Sequence, residues 1–437
     1  MRSRNLRARP RQVTNAIGEQ GGIVTVCALR DIQDTGFNPF LSDEQVFGSI
    51  ENPWPIVAEY RRASPISVGS YGSVFGAPPD PSTIDRPQYT AWTYDTVKAV
   101  LGDPALFSST IVHKLAVEKA FGRILVCMDP PEHTQYRRFL QHAFSPKAIK
   151  AWTERLIRPL IVEMIEGFAG DGSAELVSQF TRRYPFEVVF RLLDLPAADV
   201  ALFHKLAVSQ TFATTPYVKE ATEAGQNLAD YFRCLVAERR KKPGEDLVSQ
   251  LIAAELDGER LDEEILLAFL RHILNASADT TFRTTGTLLV ALLSNPALIA
   301  ELRADPGLIP LAIEEALRWE GPVTSNFRTL TRDHEIAGVA MEAGAVVYVA
   351  QGSANRDEAY FTDPDVFDLH RSREVRHMGF GSGPHACVGM HLARLQIREA
   401  ILALLERLPD VRLDPAAGPP VIRGFAFRAP PELRVVF

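Results

Sequence analysis

Little net charge, few cysteines and no long apolar run mark this 437-residue chain, and each shortage closes off a class of function. The formal net charge of −7 gives no general attraction to nucleic acid or to anionic membrane surfaces. The four cysteines (Cys27, Cys127, Cys234, Cys387) are widely spaced and form no C-x-x-C pair. That spacing argues against a zinc ribbon or a disulfide scaffold and suits a reducing cytoplasm, with Cys127 and Cys234 read as core residues. No stretch reaches the roughly 18 consecutive apolar residues of a membrane span. Residues 265–293 come nearest, but Arg271, His272, Asp279 and Arg283 interrupt them, so a soluble, cytoplasmic protein is expected. No strand–helix unit carries G-x-G-x-x-G and no cysteine cluster suits an iron–sulfur centre, so the chain contains no reductase of its own. Low-complexity linkers and internal repeats are also missing, which favours one large unit or two tightly packed lobes.

Hydrophobic residues make up 46% of the chain, enough for a sizeable core. Five arginines fall within the first twelve residues, and no acid precedes Glu19. A targeting peptide or nucleic-acid arm would fit this stretch, but a leader is the reading adopted. The expected division is a partly disordered leader over 1–50 and a single catalytic domain over 51–437. Residues 65–94 read as a small antiparallel sheet around the Pro-rich Gly76–Pro81. From Thr96 to about Arg318 the period is helical, punctuated by prolines. Strand character returns at Phe327–Leu330, Val346–Ala350 and Leu433–Phe437. The sum is a mainly α fold with small β-sheets, without regular βα alternation.

Cys387 sits in Phe380-Gly381-Ser382-Gly383-Pro384-His385-Ala386-Cys387-Val388-Gly389. Three glycines and a proline make a tight loop of small side chains that can lie flat against a planar cofactor. A helical pattern starts at Met390, so the thiol precedes a helix N-terminus, where dipole and free N–H groups favour a thiolate. A lone thiolate so placed suits an axial haem-iron ligand. The segment resembles the cysteine loop of the cytochrome P-450 superfamily, F-x-x-G-x-x-x-C-x-G, with every fixed position filled. The resemblance extends from about Asn52 onward and implies the cytochrome P-450 fold, with a long central helix over haem b. It implies that Cys387 ligates the iron, His385 contacts a propionate, Phe380 packs beside the cysteine and Gly389 completes the cofactor-binding loop.

Asp262 is a plausible N-cap for a helix running to Ser294, where Asn295-Pro296 stops it. Such a helix would span roughly 50 Å. Its middle, Ala276-Ser277-Ala278-Asp279-Thr280-Thr281, contains weak helix formers. This resembles the family's oxygen-activation segment, A-G-x-[DE]-T-T, and implies catalytic roles for Thr280, as hydrogen-bond relay, and Asp279, as proton supply. Ser277 replaces the usual glycine. A serine can bond back to the carbonyl four residues earlier and bend the helix, keeping an opening in altered form.

Glu315 and Arg318 lie three apart on one helical face. They resemble the family's E-x-x-R pair, and the segment Asp363–Arg371 nominates Arg371 as the third structural partner. Haem carries two propionates that need donors inside a protein. The family's H-x-x-x-R helix start and its extended arginine segment point to His133, Arg137 and Arg328, alongside His385. Family topology places pocket walls at Ser109–Val126, Gln210–Tyr217, Phe269–Ala276, Val323–Phe327 and Phe425–Phe427, with Ala276, Val323 and Phe425 nominated as lining. Ile111, Val112 and Phe212 make the expected pocket mainly apolar, and Thr324, Ser325 and Asn326 add polar groups.

The resemblance therefore implies a monooxygenase inserting one atom of O2 into a small to medium hydrophobic substrate. Electrons would come from a separate ferredoxin-type donor docking on Arg137, Arg138, Lys147, Arg373 and Arg376. No membrane or nucleic-acid partner is expected, and the chain is expected to act as a monomer. Two alternatives stay open: a peroxide-using or redox-neutral haem-thiolate enzyme, which Ser277 keeps in play, and a non-catalytic haem sensor, which the Asp279-Thr280 pair disfavours.

Overall fold

Helical periodicity becomes seven helices that matter for the site: α1 (Pro39–Phe47), α2 (Thr110–Phe121), α3 (Glu132–Ala143), α4 (Val218–Lys241), α5 (Glu263–Ser294), α6 (Ile309–Trp319) and α7 (Met390–Arg407). The computed structural model describes residues 16–17, 23–24, 27–34 and 36–437. The arginine-rich first twelve residues lie outside the described residues.

Local chemistry sets the ends of the central helix α5. The Asp262 carboxylate accepts from the Glu264 N–H at 2.9 Å, and Asn295 ends the helix while its own side chain caps the one that Pro296 begins. The 32 residues of α5 are buried on nearly every side, so apolar contact outweighs the weak propensity of its Ser-Ala-Asp-Thr-Thr centre. Helices α2 and α4 cross closely: a Cβ on Gly225 would stand 1.8 Å from the Ala120 carbonyl oxygen, so only glycine permits the contact. No single helix among the described residues is long and apolar enough to cross a membrane.

The principal sheet has five strands: β1 (Ile66–Val68), β2 (Gln88–Ala91), β3 (Phe107–Ser108), β4 (Asn326–Leu330) and β5 (Val346–Val349), in spatial order β1-β2-β5-β4-β3. Strand β5 runs parallel to β2, with Val346 opposite Gln88, and antiparallel to β4, with Val346 opposite Thr329. Residues 65–94 are thus not a self-contained antiparallel sheet. Gly72–Phe75 form a 3₁₀ turn rather than strand, and β2 takes its second partner from far along the chain. Arg434–Val436 pairs with Arg412–Leu413 and Ser173–Glu175 in a smaller sheet.

Two expectations need correction. Cys234 is not a core thiol: it forms a disulfide with Cys27, 207 residues away, which ties the N-terminal segment to α4. Nor does the body begin at residue 51. Phe37 and Phe47 are buried in the main core, where their rings meet Phe212 at 5.7 and 5.9 Å. Cys127 is buried as expected, and burial pushes its thiol up to about 12.

Candidate active site

The cysteine loop is closed by its own backbone. The Cys387 N–H donates to the Phe380 carbonyl at 2.8 Å, and Ala386 N–H to Gly383 at 3.1 Å. Gly383 has φ +67°, and a Cβ there would lie 2.3 Å from the Leu101 carbonyl oxygen, so a side chain is doubly excluded. At Gly389 a Cβ would make only ordinary contact with the Cys387 Sγ, at 3.9 Å. Phe380 packs under the Arg394 guanidinium, 4.5 Å from its ring centre.

Burial raises the Cys387 pKa and outweighs the Gly389 and Met390 N–H groups, Arg137 and Arg394, which act in the opposite direction. A helix terminus alone therefore does not make this sulfur a thiolate; a cation replacing the proton would.

Beside the loop, α3 and β4 bring their polar groups together. The rings of His133 and His385 lie 4.1 Å apart, and both nitrogens of His133 and Nε2 of His385 are buried with no hydrogen-bond partner. Arg137 donates to the Ala386 carbonyl at 2.6 Å, and buried Arg328 donates to the Phe327 carbonyl at 2.7 Å. Burial, with the nearby cations, pulls His385 down to about 2 and His133 to about 4, and burial holds Arg328 at about 10. Unpartnered buried imidazoles and partly desolvated guanidiniums are costly unless an anion meets them. The donor set fits a flat dicarboxylate whose metal accepts one sulfur, which is the chemistry of haem.

Along α5 between Ile273 and Leu293, all residues but Ala276, Ser277 and Thr280 are buried. These three share one face, so the helix meets a hollow there. Thr280 Oγ1 donates to the Ala276 carbonyl at 3.1 Å. Ser277 makes no comparable back-bond among the described residues, and α5 stays helical through it. Asp279 turns to another side, where Arg283, one turn on, holds both its oxygens at 3.0 and 3.1 Å in a buried pair. The structure thus does not join Asp279 to Thr280 directly. Arg283 was missed, although D-x-x-x-R is legible as i, i+4 spacing.

Glu315 is fully buried and binds Arg318 at 2.7 and 2.9 Å and Arg371 at 2.9 Å, and it also accepts from the Asp368 N–H. The nominated pocket residues separate. Ala276 faces the hollow and Val323 bridges to Phe427, but Phe425 is a core residue, stacked on Phe75 at 5.2 Å among Trp54, Tyr71 and Trp92. Thr324 is likewise committed to the Phe425 and Ala426 carbonyls, and Phe212 to the core. The expected docking patch is also depleted. Arg137 turns inward, Arg138 pairs with Asp257 at 2.5 Å, and Arg373 binds the Leu311 carbonyl at 2.8 Å, whereas Lys147 and Arg376 are exposed. A groove of about 1000 Å³ runs outside the cysteine loop, lined by Lys98, Arg376, His391 and Arg394 among others.

Comparison with known proteins agrees with this geometry. Residues 307–432 match the family model for cytochrome P450. The chain is 33% identical over 370 residues to a putative cytochrome P450, YjiB, of Bacillus subtilis, covering 82% of this chain and 88% of that protein. It is 35% identical over 384 residues to the mycinamicin IV hydroxylase/epoxidase of Micromonospora griseorubida, covering 84% and 95%. Among solved structures, CYP109E1 from Bacillus megaterium in complex with testosterone superposes with a TM-score of 0.76 at 28% identity, covering 88% of this chain and 99% of that one.

Proposed function

This chain belongs to the cytochrome P450 family and is a monooxygenase, and from that premise we propose how its own residues serve the reaction. Cys387 supplies the thiolate ligand of haem b, with Phe380 and Gly389 shaping the loop around it. His133, Arg137, Arg328 and His385 hold the two carboxylates. The observation that carries this reading is the set of unpartnered imidazole nitrogens beside the cysteine loop. When bound, the haem supplies the chemistry that activates O2.

Thr280 stands on the exposed face of α5 and orients the last proton donor toward the reacting oxygen. Asp279, released from Arg283, brings the proton from the far side of the helix. Ala276 and Val323 help enclose a small to medium hydrophobic substrate. Glu315, Arg318 and Arg371 keep the proximal core rigid. Residues 27–437 act as one catalytic unit, a cytoplasmic monomer. A ferredoxin-type protein docks over the groove outside the cysteine loop, where Lys98 and Arg376 offer charge. A peroxide-using enzyme is disfavoured because both Asp279 and Thr280 are present in the positions described.

The test is a titration of the purified haem protein with fatty acids, terpenoids, steroids and aromatics, read as a shift of the Soret band. At least one class is expected to shift it. No shift across all four contradicts a hydrophobic substrate.

A further inference from the structure

We propose that His113, on α2, is a fifth donor to the cofactor carboxylates, acting with His133, Arg137, Arg328 and His385. This rests on reading that cluster as the haem-carboxylate site. No sequence motif marks His113, but two contacts place and orient it.

The His113 ring is 5% exposed and lies flat on Phe327, 4.3 Å between centroids and 12° between planes. Phe327 precedes Arg328 in β4 and points to the opposite face, but the Arg328 charge still reaches His113, as that of His113 reaches His385. The Nδ1 atom is 2.7 Å from the Ser109 carbonyl oxygen. A carbonyl only accepts, so Nδ1 carries the proton and Nε2 points away from Ser109. Ser109 is itself fixed: its N–H donates to Asp129 Oδ1 at 2.8 Å, while Ser108 Oγ donates to Oδ2 at 2.5 Å.

Charge completes the argument. The field of Asp129 reaches His113, His133 and Arg328, but both its oxygens already accept hydrogen bonds. Two guanidiniums and three imidazoles are therefore gathered without a matching pair of anions. Burial and Arg328 hold His113 neutral, with its pKa at about 4, until a carboxylate arrives. The carboxylate then draws a proton from solvent onto Nε2, and the face of Phe327 favours the cation.

The experiment loads wild type, His113→Phe and His113→Gln with haem, and separately with haem dimethyl ester, whose carboxylates carry no charge. The readout is the rate of cofactor transfer to excess apomyoglobin. With haem, His113→Phe is expected to release about tenfold faster than wild type, the scale of a charge-assisted hydrogen bond, with His113→Gln in between. With the dimethyl ester all three should release at one rate. Equal acceleration with both cofactors would mean that the ring only packs on Phe327, and no acceleration with haem would also overturn the proposal. His113→Gln keeps a polar side chain of similar reach and carries the test if His113→Phe does not load. A wild type that takes up no haem at all would instead sink the reading of the whole cluster.

Discussion

The rings of His133 and His385 stand 4.1 Å apart, and three of their four nitrogens are buried without a partner. Such a pair destabilises a chain with nothing between its donors and becomes favourable when carboxylates enter. Replacing either histidine by Phe should therefore speed haem loss by roughly tenfold or more while leaving the thermal midpoint of the haem-free chain unchanged or raised. Haem transfer and apoprotein melting, measured together, check both halves.

Glu315 has no exposed surface and pairs with Arg318, Arg371 and, at 3.5 Å, Arg373. Glu315→Gln leaves buried guanidiniums short of an anion, which costs about 3–5 kcal/mol. In a chain of this size that lowers the thermal midpoint by about three to five degrees. Differential scanning calorimetry of the haem-loaded variant reads the effect.

Glu314 shows the opposite sign from a simple buried acid. Burial would raise its pKa, but Arg394 at 2.6 and 2.8 Å and His377 at 3.1 Å overcome that and bring it to about 2. A carboxyl with a folded pKa below its ordinary 4.5 contributes stability that is complete above that value. The contribution is lost as pH falls from there toward 2. The denaturation midpoint of wild type should exceed that of Glu314→Gln near neutral pH, and the gap should narrow through this acid range.

Thr280 and Asp279 leave α5 on different sides, the first bonded to Ala276 and the second to Arg283. Thr280→Ala should divert reducing equivalents into hydrogen peroxide, with Thr280→Ser restoring most of the coupling. Asp279→Asn should slow oxygen consumption rather than uncouple it. Peroxide yield per NADPH, with a surrogate ferredoxin and reductase, separates these from peroxide-driven turnover, where Thr280→Ala causes no such diversion.

Legibility followed the range of the forces involved. The cysteine loop and both ends of α5 could be read because their chemistry is local: glycine dihedrals, an Asp cap, an Asn-Pro stop. Pairing across long sequence distances could not. Cys27 and Cys234 carry no local sign of their disulfide, and β2 finds β5 only in three dimensions. Phe425 shows a related limit, since an aromatic ring has the same sequence signature whether it lines a hollow or fills a core. At Cys387 the helix terminus is visible in sequence, but the burial that opposes it by raising the thiol's pKa is not. The placement of His113 was invisible because Phe327, on which its ring stacks, comes from a distant strand.

The central claim is that Cys387 binds haem iron as a thiolate. The most direct measurement is the absorption spectrum of the purified protein, reduced and saturated with carbon monoxide, beside that of Cys387→Ala. A strongly red-shifted Soret band in the wild type, absent from the variant, is the predicted result. An unshifted band in the wild type, or a shifted band that survives in Cys387→Ala, would contradict it.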